Sequence, residues 1–147
     1  MSLKLSTGTR DHLLTVGDFK SAVDGGVIRI YSGPAPSTAD DALSGNTLLC
    51  TISNNSTGTG ITMNTVSASG VLGKNPAEVW SGLISNSGTA AFYRFSSLTD
   101  AGLLSTTEKR VQGVVGTVGA DLNFSSVAFV SGNSKNIDTY DIAQPTA

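Results

Sequence analysis

Three stretches decide the fold: EVWSG from Glu78 to Gly82, GTAAFYRF from Gly88 to Phe95, and VQGVVGTVGADLNFSS from Val111 to Ser126. Each is a short apolar or aromatic run bounded by Gly, Ser, Thr and Asn. Such runs, four to eight residues long and closed by turn formers, predict β-strands. None of the three gathers a set of catalytic residue types.

Outward from this stretch the same grammar continues. Val27–Tyr31, Leu48–Ile52 and the alternating Ile61–Val66 predict strands before it, and Val127–Val130 and Asn136–Ile142 after it. Within it, Val79–Ile84 and Ala90–Phe95 predict two strands joined hairpin-fashion by Ser85–Gly88, followed by Arg110–Val115 and Asp121–Phe124. Residues 67–76 predict a loop or irregular edge, residues 54–60 and 99–107 predict loops, and Gln144-Pro145 predicts the end of the structure. In Ala90–Phe95, period two puts Tyr93 and Phe95 on one face and Phe92 on the other. Near the N-terminus, Asp18 predicts a helix cap before Phe19, Ala22 and Val23, with Gly25-Gly26 as the stop; Arg10–Leu14 predicts another turn with Leu13 and Leu14 inward. Ser37-Thr-Ala-Asp40 has capping-box spacing and predicts one helical turn ending at Gly45. About eight or nine short strands predict an all-β (mainly) chain: a single antiparallel β-sandwich or jelly-roll-like domain over residues 27–145, preceded by a short helical arm over residues 1–26.

Composition narrows the function classes. The chain has 147 residues, a length that fits one domain. Charged residues make up only 14% and the net charge is −2, so the basic footprint of a nucleic-acid binder is missing. No apolar run reaches the roughly 18 residues of a membrane span, and residues 1–14 lack a signal-peptide core, which predicts synthesis in a cytoplasm. Cys50 is the single cysteine and lies in the apolar LLCTI, which predicts a buried, inert thiol.

The candidate chemistry is thin. His12 is the only histidine; a Ser-His-Asp arrangement is formally possible, but no Gly-x-Ser-x-Gly elbow accompanies it. One histidine and one cysteine do not make a zinc site. Asp40-Asp41 and Asp138/Asp141 are local acid pairs without the spacing of a calcium loop, which predicts solvated caps or turns. Gly113–Gly119 lacks the Gly-Lys-Ser/Thr ending of a phosphate loop, so its glycines predict bulges and turns. Trp80, Phe92, Tyr93 and Phe95 could form a sugar- or base-stacking platform, although aromatics in a small β-domain are expected in the core. The reading assigns no catalytic, cofactor-binding or metal-binding residue, and predicts no enzyme activity.

Taken in order, LSTGTRDHLL (5–14), GVIRIYSGPAPSTADDALSGNTLL (26–49), EVWSG, GTAAFYRF, GTVGADLNFSS (116–126) and NIDTYDIAQP (136–145) resemble a family of small tailed-bacteriophage and prophage virion structural proteins. Gly73-Lys74-Asn75-Pro76 departs from the more Gly/Ala/Ser-like loop of that family. The resemblance implies a virion structural protein, and the size, with a single β-domain and no coiled coil or membrane segment, suits a capsid decoration (cement) protein on the outside of the head. Its partners would be the major capsid protein and copies of itself, with no nucleic acid and no membrane. The alternatives are a tail-associated structural or host-glycan-binding module using Trp80 or Tyr93, and a hydrolase in which a pocket brings His12 to a serine and an aspartate. Residues 1–26 are the expected anchoring or subunit-swapping segment, whose deletion should leave a folded domain that no longer binds capsids.

Overall fold

The computed structural model describes residues 3–144; Pro145, expected to close the domain, lies outside them. The described chain is mainly β and antiparallel, with two short helices near its start, as the sequence predicts. The strands are β1 (Lys4–Leu5), β2 (Val27–Tyr31), β3 (Leu48–Asn54), β4 (Val71–Gly73), β5 (Trp80–Leu83), β6 (Gly88–Thr89) and β7 (Phe92–Ser96). They continue with β8 (Val111–Gly116), β9 (Leu122–Asn123), β10 (Ala128–Phe129), β11 (Ser134–Ile137) and β12 (Asp141–Ala143). Helices α1 (Thr7–Thr15) and α2 (Phe19–Val23) lie between β1 and β2. The main sheet runs β1-β8-β7-β2-β3-β5-β11, with β9 parallel to β8; β10–β6 and β12–β4 form two small ribbons.

The core explains this order. Ile28 and Ile30 of β2 stand beside Phe95 and Tyr93 of β7 and Ile52 and Cys50 of β3, all fully buried. Trp80, Ile61, Met63 and Tyr140 pack with them, and Tyr93 and Tyr140 share a buried hydroxyl contact of 2.9 Å. Burying side chains of this size contributes about 1.5–3 kcal/mol each relative to exposure. Phe92 points the other way, as period two requires, and stacks on Tyr31 at 5.2 Å. Both faces of the central strands are therefore covered: β7 is buried at all five positions.

The ends of the helices follow their sequence signals. Asp18 caps α2 by accepting from Ser21 N at 2.8 Å, and Gly25 takes the left-handed conformation beyond its end. Phe19, Ala22 and Val23 are buried, whereas Leu14 is 80% exposed, contrary to the inward orientation expected from its place beside Leu13. At α1 only nine residues are helical, and one side of that span meets the body of the protein.

Other local readings yield to tertiary pairing. Val79–Ile84 and Ala90–Phe95 do not form a hairpin, because β5 pairs with β3 and β11 while β7 pairs with β2 and β8. Residues 61–66 make only isolated bridges, at Ile61 and Met63. Residues 37–40 form no helix, because Asp40 is engaged with Thr7 instead of capping its own turn. Asn136–Ile142 divides into β11 and β12, and residues 71–73, within the stretch expected as loop or irregular edge, form β4. Among the described residues no helix is long and apolar enough to cross a membrane.

Candidate functional site

The second face of the sheet holds a polar row beside the buried Val27, Tyr31 and Phe92. Arg29, Arg94 and Gln112 stand side by side across β2, β7 and β8. Arg110 immediately precedes β8. Two long segments without regular structure, residues 32–47 and 97–109, lie over this row. Such segments carry carbonyl groups that no ladder satisfies, and buried carbonyls need donors. Guanidinium groups, with five N–H donors each, supply them.

Arg110 is the hub. Its Nε donates to Asp100 Oδ2 at 2.7 Å and its Nη2 to Asp100 Oδ1 at 2.8 Å. Nη2 also reaches Leu103 O, and Nη1 reaches Ala39 O and Asp40 O. Its main chain exchanges bonds with the start of α1: Arg110 N donates to Ser6 Oγ, and Arg110 O accepts from Ser6 N and Thr9 Oγ1. Asp40 accepts from Thr7 N and Thr7 Oγ1 at 2.7 and 2.6 Å. Burial opposes ionisation of Asp100, but the bonds from Arg110 and Gly102 outweigh it and hold the carboxyl below its usual range.

Arg94 completes the clamp without a carboxylate. Its Nε donates to Gln112 Oε1, and its Nη2 to Asp41 O and Thr38 O; Gln112 Nε2 donates to Pro36 O. Nη1 is buried without a partner among the described residues. Burial, followed by the charge of Arg110, lowers the pKa of Arg94. Arg29 holds the second segment through Ser97 O and Leu98 O. Fixed in this way, residues 97–109 present Leu98, Leu103 and Leu104 to solvent, and the Leu43 side chain lies against Gly102. Exposed leucines are common singly; here three stand on one rigid loop.

The residues singled out in the sequence fall as follows. His12 meets a serine: its Nε2 lies 2.8 Å from Ser21 Oγ, an approach that Gly17 allows, since a Cβ there would stand 2.6 Å from Ser21 Oγ. The nearby Asp18 carboxylate accepts from Ser21 N and not from the imidazole, so a triad is not assembled. The proximity of Ser21 was missed because it depends on how two short helices fold together across Gly17.

Trp80 and Tyr93 are 1% and 0% exposed, so neither serves as a glycan-stacking platform. Asp41 closes a turn on Thr38 N. Asp138 and Asp141 line a cleft of about 520 Å³ with Asn64, Lys74 and Tyr140. Among the described residues no three His, Cys, Asp or Glu side chains are placed to share a metal ion. Gly113 lies under the Tyr93 ring and Gly119 takes a left-handed turn conformation. Cys50 is buried, which pushes its thiol up to about 11.

The chain matches no protein-family model, no curated protein and no solved structure.

Proposed function

We propose that the chain is a structural protein of a tailed-phage virion, a decoration protein on the outside of the head that binds the major capsid protein. The observation that carries this reading is the use of the buried polar chemistry. Arg94, Arg110, Asp100 and Gln112 hold loops in place, and the loop they fix carries Leu98, Leu103 and Leu104 outward. A preorganised apolar surface binds without first paying for its own ordering. The ordered sequence blocks from residue 5 to residue 145 support the virion setting.

Binding of this kind stabilises a shell by mass action: at a free concentration 100 times Kd it adds about 2.7 kcal/mol per site. The test is to separate heads from tails of phage particles that carry the chain and locate it by immunogold labelling and mass spectrometry. The expected result is label on the heads, lost when Leu103 and Leu104 are both changed to Ser in a chain that keeps its thermal midpoint. Label on tails alone favours the tail alternative, and absence from both overturns the virion reading.

A further inference from the structure

The two ends of the main sheet offer edges of different length, two residues in β1 and four in β11. At the β1 end the outer side of β8 is closed. β1 covers Val111 and Gln112, β9 runs along Val115 and Gly116, and the Val114 N–H between them donates to the Asp121 carboxylate at 2.8 Å. At the other end β11 has no such cover. Ile84 N donates to Asn133 O, so Asn133 faces β5. Main-chain groups of successive residues alternate sides along a strand, so Lys135 and Ile137 also face β5, opposite Gly82 and Trp80. Ser134 and Asn136 therefore turn their N–H and C=O groups outward. Both residues are exposed, and none of these four groups has a partner among the described residues.

An open edge is a template for another strand, and natural proteins guard such edges. The guard here is Lys135, and it is partial. Its ammonium lies over the Phe129 and Phe124 rings, 4.9 and 5.6 Å from their centroids, and reaches Ser126 O. In that position it selects a register. Outward residues of one strand must face outward residues of the next. With the twofold axis at Lys135, two lysines stand directly opposite, which is destabilising. With the axis at Ser134, β11 runs into the turn closed by Asn133 N and Val130 O. With the axis at Asn136, each Lys135 faces Ile137, each Ser134 faces Asp138, and the two Asn136 side chains meet as an amide pair.

We propose that β11 is the contact through which two copies of this chain pair, antiparallel and edge to edge, with Asn136 on the twofold axis. Because a twofold contact uses the same edge on both copies, the pairing stops at two instead of running on as a filament. An edge of this length falls below the area of standard stable interfaces, so the pair is weak in dilute solution and is favoured where copies are held close together. The proposal gives a surface to the self-association in the virion reading without depending on it. A chain that dimerises yet is absent from heads separates the two.

The experiment uses the full chain in sedimentation velocity from about 10 to about 500 μM, the range in which weak association becomes visible. The wild type is expected to rise toward dimer mass. Asn136→Pro removes an outward N–H and no internal bond, and is expected to stay monomeric. Under mild oxidation Asn136→Cys is expected to form a disulfide dimer and Lys135→Cys is not; Cys50 is buried and silent. A wild type that stays monomeric throughout, or a folded Asn136→Pro that associates as the wild type does, overturns the proposal. So does a Lys135→Cys that crosslinks as readily as Asn136→Cys. If Asn136→Pro does not fold, the cysteine pair decides.

Discussion

Arg110 grips both carboxylate oxygens of Asp100, at 2.7 and 2.8 Å, with the two side chains 1% and 3% exposed. The pair joins residues 97–109 to the sheet, and the remaining Arg110 donors extend the join to residues 39 and 40. A buried pair of this sort contributes little against an apolar replacement, but removing one partner strands the other charge. Asp100→Asn or Arg110→Met should therefore cost about 3–5 kcal/mol in urea unfolding. The double change should cost less than the sum of the two.

The same pair sets an acid limit. The folded-state pKa of Asp100 is depressed below 3.8, so its contribution is present above that value and is lost as pH falls through the lower, folded-state value. The stability gap between wild type and Asp100→Asn should be constant from neutral pH down to about 4 and shrink below it. Urea titrations at stepped pH measure that gap.

Gly113 has no room for a side chain. A Cβ there would stand 2.5 Å from Tyr93 Cε1 and 2.8 Å from its hydroxyl. Gly113→Ala should lower stability by about 1–3 kcal/mol, the usual cost of overpacking. Gly45→Ala, where nothing lies within 4 Å but φ is +70°, tests backbone strain by itself. Thermal midpoints of the two variants separate crowding from strain.

Residues 4–26 are built into the body rather than appended to it. β1 pairs with β8, Ser6 and Thr9 bond to Arg110, and Phe19, Ala22 and Val23 belong to the core. Deleting residues 1–26 should leave a chain without a cooperative thermal transition. This replaces the expectation that the remainder folds alone, and circular dichroism decides it.

At Ser21 the hydrolase reading has a direct check. The imidazole of His12 has its serine, but the Asp18 carboxylate is occupied by Ser21 N. Without an aspartate to orient the ring, turnover of p-nitrophenyl acetate should be the same for wild type, Ser21→Ala and His12→Asn. A His12-dependent burst would revive the enzyme reading.

How far the fold was legible follows from where each signal acts. The run VIRIY gave β2 without error, because β-branched residues and the turn formers on either side act locally. Asp18 and Gly25 announced the ends of α2 for the same reason. Alternation in FYRF placed Phe92 opposite Tyr93 and Phe95. What failed was pairing: the Ser85–Gly88 turn suggested that its flanking strands pair, yet β2 and β3 stand between β5 and β7. Nothing within residues 79–95 encodes that separation. Arg94, read alone, is a charge in a strand and predicts a solvent face. Its burial becomes visible only when carbonyls more than fifty residues away are known to need donors.

The segment from Pro34 to Leu43 is held chiefly through its main chain: Pro36, Thr38, Ala39, Asp40 and Asp41 all offer carbonyls to guanidinium or amide donors. Every amino acid carries that acceptor. Apart from the buried Ala39, the carboxylates of Asp40 and Asp41, and Leu43 against Gly102, the side chains of this segment can drift in sequence while its course over the sheet stays fixed. A lineage could thus vary the outer surface of this region rapidly, changing what it meets without rebuilding the frame beneath.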